Sequence, residues 1–465
     1  MKSRESRGPM RRIAVAARED AGVSIIEVLA ACLIFMILSI GVAQATVTAI
    51  RLSGDQKHRV TALSLAAGEV DLVRSIGDPF DVLDREVTQT VDGIDYTIHR
   101  DTSWVTGSGI DIPCGAGSTG NLLYKRINVR VTWDGQVTPI SPVSSDTVLA
   151  PDGRLNDPAL GTILVAVSNA AGTGTEGVTV TITPDSSGTA LDAQPDATNA
   201  EGCTYATQVS PGSYTVTLSK SGYVGSDQSS APSASVTVAA GETVSTSFTF
   251  DDAATFALTY AGGSSALKAS NFETSYVNTY GVYYISGSSA TASLFPWSSG
   301  YRAIAGHYVA PDATGAGGCS AVDPAEWTAA TVSGVSLADG VASDPVAAAP
   351  GGAAAMSVPL ATVKLSSIAQ NRYITAVSVD TSAVSGEPGC SVTMTYTFAQ
   401  VNSKSSTTAD RTIMLPYGTW KLYSATSSGG TTTSLSASAI TPLSNVVTSG
   451  MVSSNQVTLD PRAAG

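Results

Sequence analysis

From Val28 to Ile50 the chain carries no charged residue, and no proline interrupts it between Ser24 and Ile76. At about 1.5 Å per residue the uncharged run extends roughly 35 Å, enough to cross a bilayer core of about 30 Å. A short arm bearing Lys2, Arg4, Arg7, Arg11, Arg12 and Arg18 precedes it. Basic flanks of this length hold the N-terminus in the cytoplasm, so everything after residue 50 is expected outside. Gly77-Asp78-Pro79 supplies a helix stop, and the implied helix of about 53 residues is roughly 80 Å long. In its second half Leu63, Ala66, Val70, Val73 and Ile76 recur at three- and four-residue intervals. Lys57, Arg59, Glu69 and Arg74 in the same half are polar, so one face is expected to pack on a domain.

Glu27 is the one charge at the start of the apolar run, and a carboxylate at membrane depth needs a partner. The stretch Gly22-Val23-Ser24-Ile25-Ile26-Glu27-Val28-Leu29 resembles the prepilin leader of type IV pilins and type II secretion pseudopilins: a basic leader ending in Gly, then an apolar helix with Glu at its fifth position. The resemblance implies cleavage after Gly22 by a prepilin peptidase and N-methylation of Val23, which stands where the family usually has Phe or Met. It also implies a long helix half packed on a small sheet, and partners in other pilin subunits, the assembly platform and the inner membrane. Cutting after Gly22 creates an ammonium on Val23. In a filament core Glu27 of one subunit can pair with such an amine on a neighbour, so that two buried charges satisfy each other.

The chain has 465 residues and a formal charge of −13; the part after Gly22 carries 19 basic and 35 acidic residues. That balance excludes nucleic acid as a main partner, which needs a basic footprint. Few charges and abundant Gly, Ser, Thr and Val fit β-rich extracellular modules. Cys32 lies in the apolar run. Cys114, Cys203, Cys319 and Cys390 lie outside it and can pair in three ways, of which Cys319 with Cys390 is preferred.

The fold class expected is α+β: a long N-terminal helix, membrane-spanning in its first half, packed on a small antiparallel sheet and followed by all-β sandwich-like modules. The boundaries read as leader 1–22, pilin-like helix and sheet 23–150, linker 151–160, β-sandwich 161–252, irregular β region 253–345 and second sandwich-like module 346–465. Ile94, Tyr96 and Ile98, then Ile127, Val129, Val131 and Trp133, alternate with polar residues as half-buried antiparallel strands do. His99 falls on the polar side of its strand and reads as a solvated or hydrogen-bonded histidine.

In 161–252, Ile163, Val165 and Val167, then Val178, Val180 and Ile182, then Tyr214, Val216 and Leu218, then Val244, Thr246, Phe248 and Phe250 repeat the same period. Gly202-Cys203, Pro211-Gly212-Ser213-Tyr214 and Ser221-Gly222-Tyr223 resemble carboxypeptidase regulatory-like and collagen-adhesin B-type repeats, which are stalk and adhesin modules. Some of those carry a Lys–Asn isopeptide bond, yet the strand Thr162–Val167 holds no Lys. In the last module Lys364 and Asn455 read as surface residues. The aromatics Tyr276, Tyr280, Tyr283, Tyr284, Phe295, Trp297 and Tyr301 read as core, with stacking on sugars or partner proteins as the other use of such rings. Val346–Ala355 reads as a linker or long loop.

No constellation for catalysis, cofactor or metal stands out. His58, His99 and His307 are scattered, and the two G-x-G-x-x-G matches at Gly115 and Gly172 lead into strands, not the helix that dinucleotide binding needs. A non-enzymatic minor pilin-like subunit is therefore expected, displaying β-modules for adhesion to a host or surface ligand or as spacers; about 300 residues of appended modules would crowd a filament in which this were the repeated unit. The other readings are a secretion pseudopilin, a surface adhesin held by an uncleaved anchor, and a membrane-anchored hydrolase.

Overall fold

The computed structural model describes residues 24–106, 111–112, 122–135, 142–150, 157–261, 265–287, 289–312, 317–380, 382–401, 408–443 and 452–462. They form one long helix followed by many β-sheets, and the chain divides into two compact units, residues 1–101 with 127–147 and residues 102–126 with 148–465.

In the first unit the helix α1 runs from Ile25 to Ser75 without a break. Residues 24–53 are all exposed, whereas Ala62, Ala66, Glu69, Val70 and Val73 are buried. The strands Arg85–Val91, Ile94–Thr106, Leu122–Trp133 and Val143–Leu149 lie side by side in that order, with Asp111–Ile112 added beside the second. The expected alternation holds: Tyr96, Ile98, Ile127, Val129, Val131 and Trp133 are buried.

Two helix positions differ from the sequence reading. Leu63 is 52% exposed and Glu69 only 6%. The buried stripe follows residues 62, 66, 69, 70 and 73, and Leu63 lies at its edge, about a fifth of a turn from its centre line. Glu69 is buried because the sheet delivers its partners: Arg100 Nη1 at 2.9 Å, itself buried, and Arg85 Nη1 at 3.5 Å. Arg100 Nε also donates to the Leu83 carbonyl at 2.7 Å. A carboxylate in such a place is tolerated only when paired.

In the second unit, residues 161–252 form a two-sheet sandwich. One sheet orders Tyr223–Gly225, Thr243–Asp252, Gly161–Ser168 and Cys203–Val209; the other orders Ser233–Val238, Gly212–Ser219 and Thr179–Pro184. The first and last strands of the module, Gly161–Ser168 and Thr243–Asp252, pair in parallel, while the other pairings are antiparallel. Ile163, Val165, Val180, Ile182, Val216, Leu218 and Phe250 fill the space between the sheets. Tyr214 pins the turn before its own strand, its hydroxyl donating to the Ser210 carbonyl at 2.8 Å. Gly212 is required by contact: a Cβ there would lie 2.5 Å from the Ser187 carbonyl oxygen.

Beyond residue 253 the expected division at 346 is not where one core ends and another begins. A single apolar core runs from Ala254 to Leu459. The stretch 346–355, read as a linker or long loop, ends inside the strand Ala353–Val358, which pairs in parallel with Ala254–Tyr260, and Val346 exchanges two 2.9 Å backbone bonds with Tyr301. Three successive alanines, Ala353 to Ala355, carry too little apolar contrast for this strand to register as a period-two pattern. The expected strand over Val392–Phe398 shortens to Thr395–Thr397.

Candidate assembly helix and surface sites

Gly22 and Val23 lie outside the described residues. Directly after them Ser24 caps α1, its hydroxyl accepting from the Ile26 amide at 3.3 Å, and the Glu27 amide donates to the Ser24 carbonyl at 2.9 Å. Ser24 and Glu27 stand at the N-cap and third helical position, the S-x-x-E spacing of a capping box. Acidic side chains in a first turn also oppose the positive end of the helix dipole. Glu27 therefore has a local reason to be there, and its three-residue spacing from Ser24 is the signal by which the sequence displays it.

Glu27 begins an exposed stripe continuing through Ala31, Cys32, Phe35 and Ser39, one face of the helix at three- and four-residue steps. Among the described residues α1 is the one helix long and apolar enough to cross a membrane. Cys32 is an exposed free thiol on that stripe. Further along, His58 Nδ1 lies 2.8 Å from the Tyr96 hydroxyl.

Of the other cysteines, Cys319 and Cys390 are joined by a disulfide across 71 residues, and both are buried. Cys203 is not a free thiol, and Cys114 lies outside the described residues. His99 pairs with Glu86 at 3.2 Å. Lys364 Nζ meets Asp410 at 3.0 Å and Asn455 Nδ2 donates to the Leu422 carbonyl at 3.3 Å, so the two are separately engaged. The glycine motif at Gly172 sits in the turn before the strand Thr179–Pro184; the one at Gly115 lies outside the described residues.

The second unit holds two features that sequence reasoning did not reach. Arg462 is fully buried: its guanidinium donates to Asp460 Oδ1 at 2.9 Å and Oδ2 at 2.7 Å, to the Ser385 carbonyl at 3.0 Å and to the Thr328 carbonyl, and it lies 5.2 Å from the Trp327 ring centroid. Close by, Glu387 accepts from the Ala383 amide at 2.8 Å and the Thr419 hydroxyl at 2.9 Å. Burial raises the Glu387 carboxyl above its ordinary range, the Asp460 charge adds to the rise, and these hydrogen bonds offset part of it.

The aromatic group divides. Tyr276, Phe295 and Tyr301 are core, but Tyr280 is 63% exposed and Tyr284 41%. Tyr284 stacks on His307, whose Nδ1 is 2.7 Å from Glu273. Gln228, from the sandwich, reaches into this region: its Nε2 donates to the Tyr301 hydroxyl at 2.9 Å and its Oε1 accepts from the Phe295 amide at 2.8 Å.

No family model matches the chain, and no curated protein matches it. Among solved structures it is similar to the Bacillus anthracis TIE protein, with 12% identity over 78% of this chain and 71% of that one and a TM-score of 0.19. A streptococcal ancillary pilin matches at 8% identity over 56% and 92%, TM-score 0.18. BcpA, the major pilin subunit of Bacillus cereus, matches at 11% over 59% and 91%, TM-score 0.18. TM-scores of this size carry no argument about the work of this chain.

Proposed function

We propose that the chain is a minor type IV pilin-like structural subunit, cut after Gly22 by a prepilin peptidase and built through α1 into a cell-surface filament. The observation that carries the reading is the run from Gly22 to Glu27 leading into an apolar helix that starts at Ile25 and presents no buried residue as far as Ser53. A helix bare over that length, about 45 Å, needs a lipid or protein environment to cover it. The membrane covers it first, with the basic arm in the cytoplasm, and neighbouring subunits cover it after assembly. Glu27 then pairs with the Val23 ammonium, methylated in this reading, of an adjacent subunit. The β-modules face outward as adhesive units or spacers and perform no catalysis.

The test is the N-terminus of the mature protein in native membranes, read by mass spectrometry of its N-terminal peptide. A start at Val23 supports the reading; a start at Met1, or a cut near residue 45, refutes it. A secretion pseudopilin shares the leader, and immunogold labelling separates the two: a labelled surface filament belongs to the pilus reading.

A further inference from the structure

The sandwich sheet made of Thr179–Pro184, Gly212–Ser219 and Ser233–Val238 turns one face to the core and the other to solvent. Val180, Ile182, Val216, Leu218 and Val236 fill the inner face. The outer face is a field of hydroxyls. The strand register places Thr181, Thr217 and Ser233 in one row across the sheet and Thr183, Thr215 and Ser235 in the next. Thr179 beside Ser219 extends the array at one end, and Ser213 beside Thr237 extends it at the other. Threonine is an ordinary strand residue. The unusual feature is that none of the three strands contains a charged residue, where a protein surface is ordinarily about a quarter to a third charged.

The chemistry of a partner for this face is constrained. A nucleic acid or other polyanion needs cations, and the face has none. Protein partners and sugar rings are held by aromatic or large apolar anchors, which it also lacks. Strand addition along the Thr179–Pro184 edge is blocked: the Gln194 side chain accepts from the Ile182 amide at 2.7 Å and donates to its carbonyl at 3.0 Å. Charge complementarity therefore selects a neutral partner that reads hydroxyls laid out in two dimensions. Strands lie about 4.8 Å apart and alternate residues about 6.7 Å apart. The prism faces of hexagonal ice repeat at closely similar intervals in two perpendicular directions. A hydroxyl donates and accepts as water does, and the branched Thr side chain holds its oxygen in few rotamers. Thr183 donates to the Thr215 carbonyl at 3.3 Å and Thr215 to Asp185 at 3.0 Å, whereas the hydroxyls of Thr181, Thr217, Ser233 and Ser235 form no hydrogen bond among the described residues.

We propose that the outer face of this sheet binds ice, its hydroxyl rows taking the place of one layer of lattice water. Sheet twist of roughly 20° between neighbouring strands confines the match to the two complete rows, with Thr217 and Thr215 at their centre. The site goes beyond the filament reading and does not rest on it.

The experiment lets the full chain, purified in detergent, partition into ice growing slowly on a cold finger, with serum albumin in the same tube as the excluded protein. Wild type is expected in the ice at least about tenfold above albumin. Thr217→Lys, which sets an ammonium in the middle row where ice cannot solvate it, is expected to fall to the level of albumin. Thr181→Lys does the same from the neighbouring strand and serves if the first variant does not fold. Gln89→Lys adds the same charge on the exposed strand Arg85–Val91 of the other unit and is expected to partition as wild type does. Exclusion of wild type from ice overturns the proposal, as does enrichment that neither Thr217→Lys nor Thr181→Lys alters. Retention of wild type on crystalline cellulose or chitin together with exclusion from ice overturns it too, and assigns the face to a polysaccharide. None of these outcomes bears on processing at Gly22.

Discussion

Arg462 closes the C-terminal core, and its removal is expected to be among the costliest single changes in the molecule. In Arg462→Met the Asp460 carboxylate, wholly buried, keeps only the residue-462 backbone amide at 2.9 Å of the contacts described for it with Arg462. The carbonyls of Thr328 and Ser385 lose their charged donor, and Glu387, already the site of a raised carboxyl pKa next to Asp460, stays in place. Breaking a buried ion pair from one side costs about 3 to 5 kcal/mol, because the surviving charge has neither partner nor water. With a guanidinium chloride slope of about 4 kcal/mol per molar, the midpoint falls by about 1 M. Trp327 and Trp420 lie in this core, so intrinsic fluorescence during denaturation of the detergent-solubilised chain reports it. The double variant Asp460→Asn, Arg462→Met removes the stranded charge and is expected to recover at least about half the loss. A single-variant shift below about 0.3 M, or a double variant no better than the single one, would refute the claim that the loss comes from an uncompensated charge.

Three further outcomes are expected. Glu387 has a folded pKa above the ordinary 4.5, so its contribution to stability is complete below that value and is lost as pH rises through the raised one; Glu387→Gln flattens this fall in denaturation midpoints measured from pH 4 to 8 (roughly the range in which such carboxyls titrate). Replacing Cys319 and Cys390 together with Ser opens a loop of 71 residues and costs about 4 kcal/mol in the chain-entropy account, read as a lowered midpoint without reductant. In cells making the filament, Glu27→Gln is expected to reduce incorporation by at least about tenfold while leaving membrane insertion intact. Ser24→Ala, which removes only a cap worth about 1 kcal/mol, leaves incorporation near wild type; equal loss in both variants would reduce Glu27 to a capping role.

The helix was legible because its signals are local: an uncharged run, no proline to residue 76, and a Gly-Asp-Pro stop. The sandwich was legible because Val178, Val180 and Ile182, and again Tyr214, Val216 and Leu218, alternate with Thr. What was missed depends on partners distant in sequence. Glu69 looks like a solvent-facing charge until Arg100, 31 residues on, comes beside it. Arg462 looks like a surface arginine near a chain end until Thr328 and Ser385, 134 and 77 residues back, enclose it. Ala353–Val358 is a strand whose composition matches a linker. Tyr280 cannot be told from Tyr276 by residue type; the turn made by Asn278 turns one outward while the strand buries the other.

The parallel pairing of Gly161–Ser168 with Thr243–Asp252 sets how the sandwich answers to force. Tension enters the module at Gly161 and leaves at Asp252, and in this pairing those two points lie at opposite ends of a shared ladder. A pull along the chain therefore shears the ladder, and its hydrogen bonds share the load together. In an antiparallel terminal pair the same pull would open them one after another. A module placed between a tethered end and a load thus behaves as a clamp, with rupture governed by the whole seven-residue register from Thr162↔Thr243 to Ser168↔Thr249.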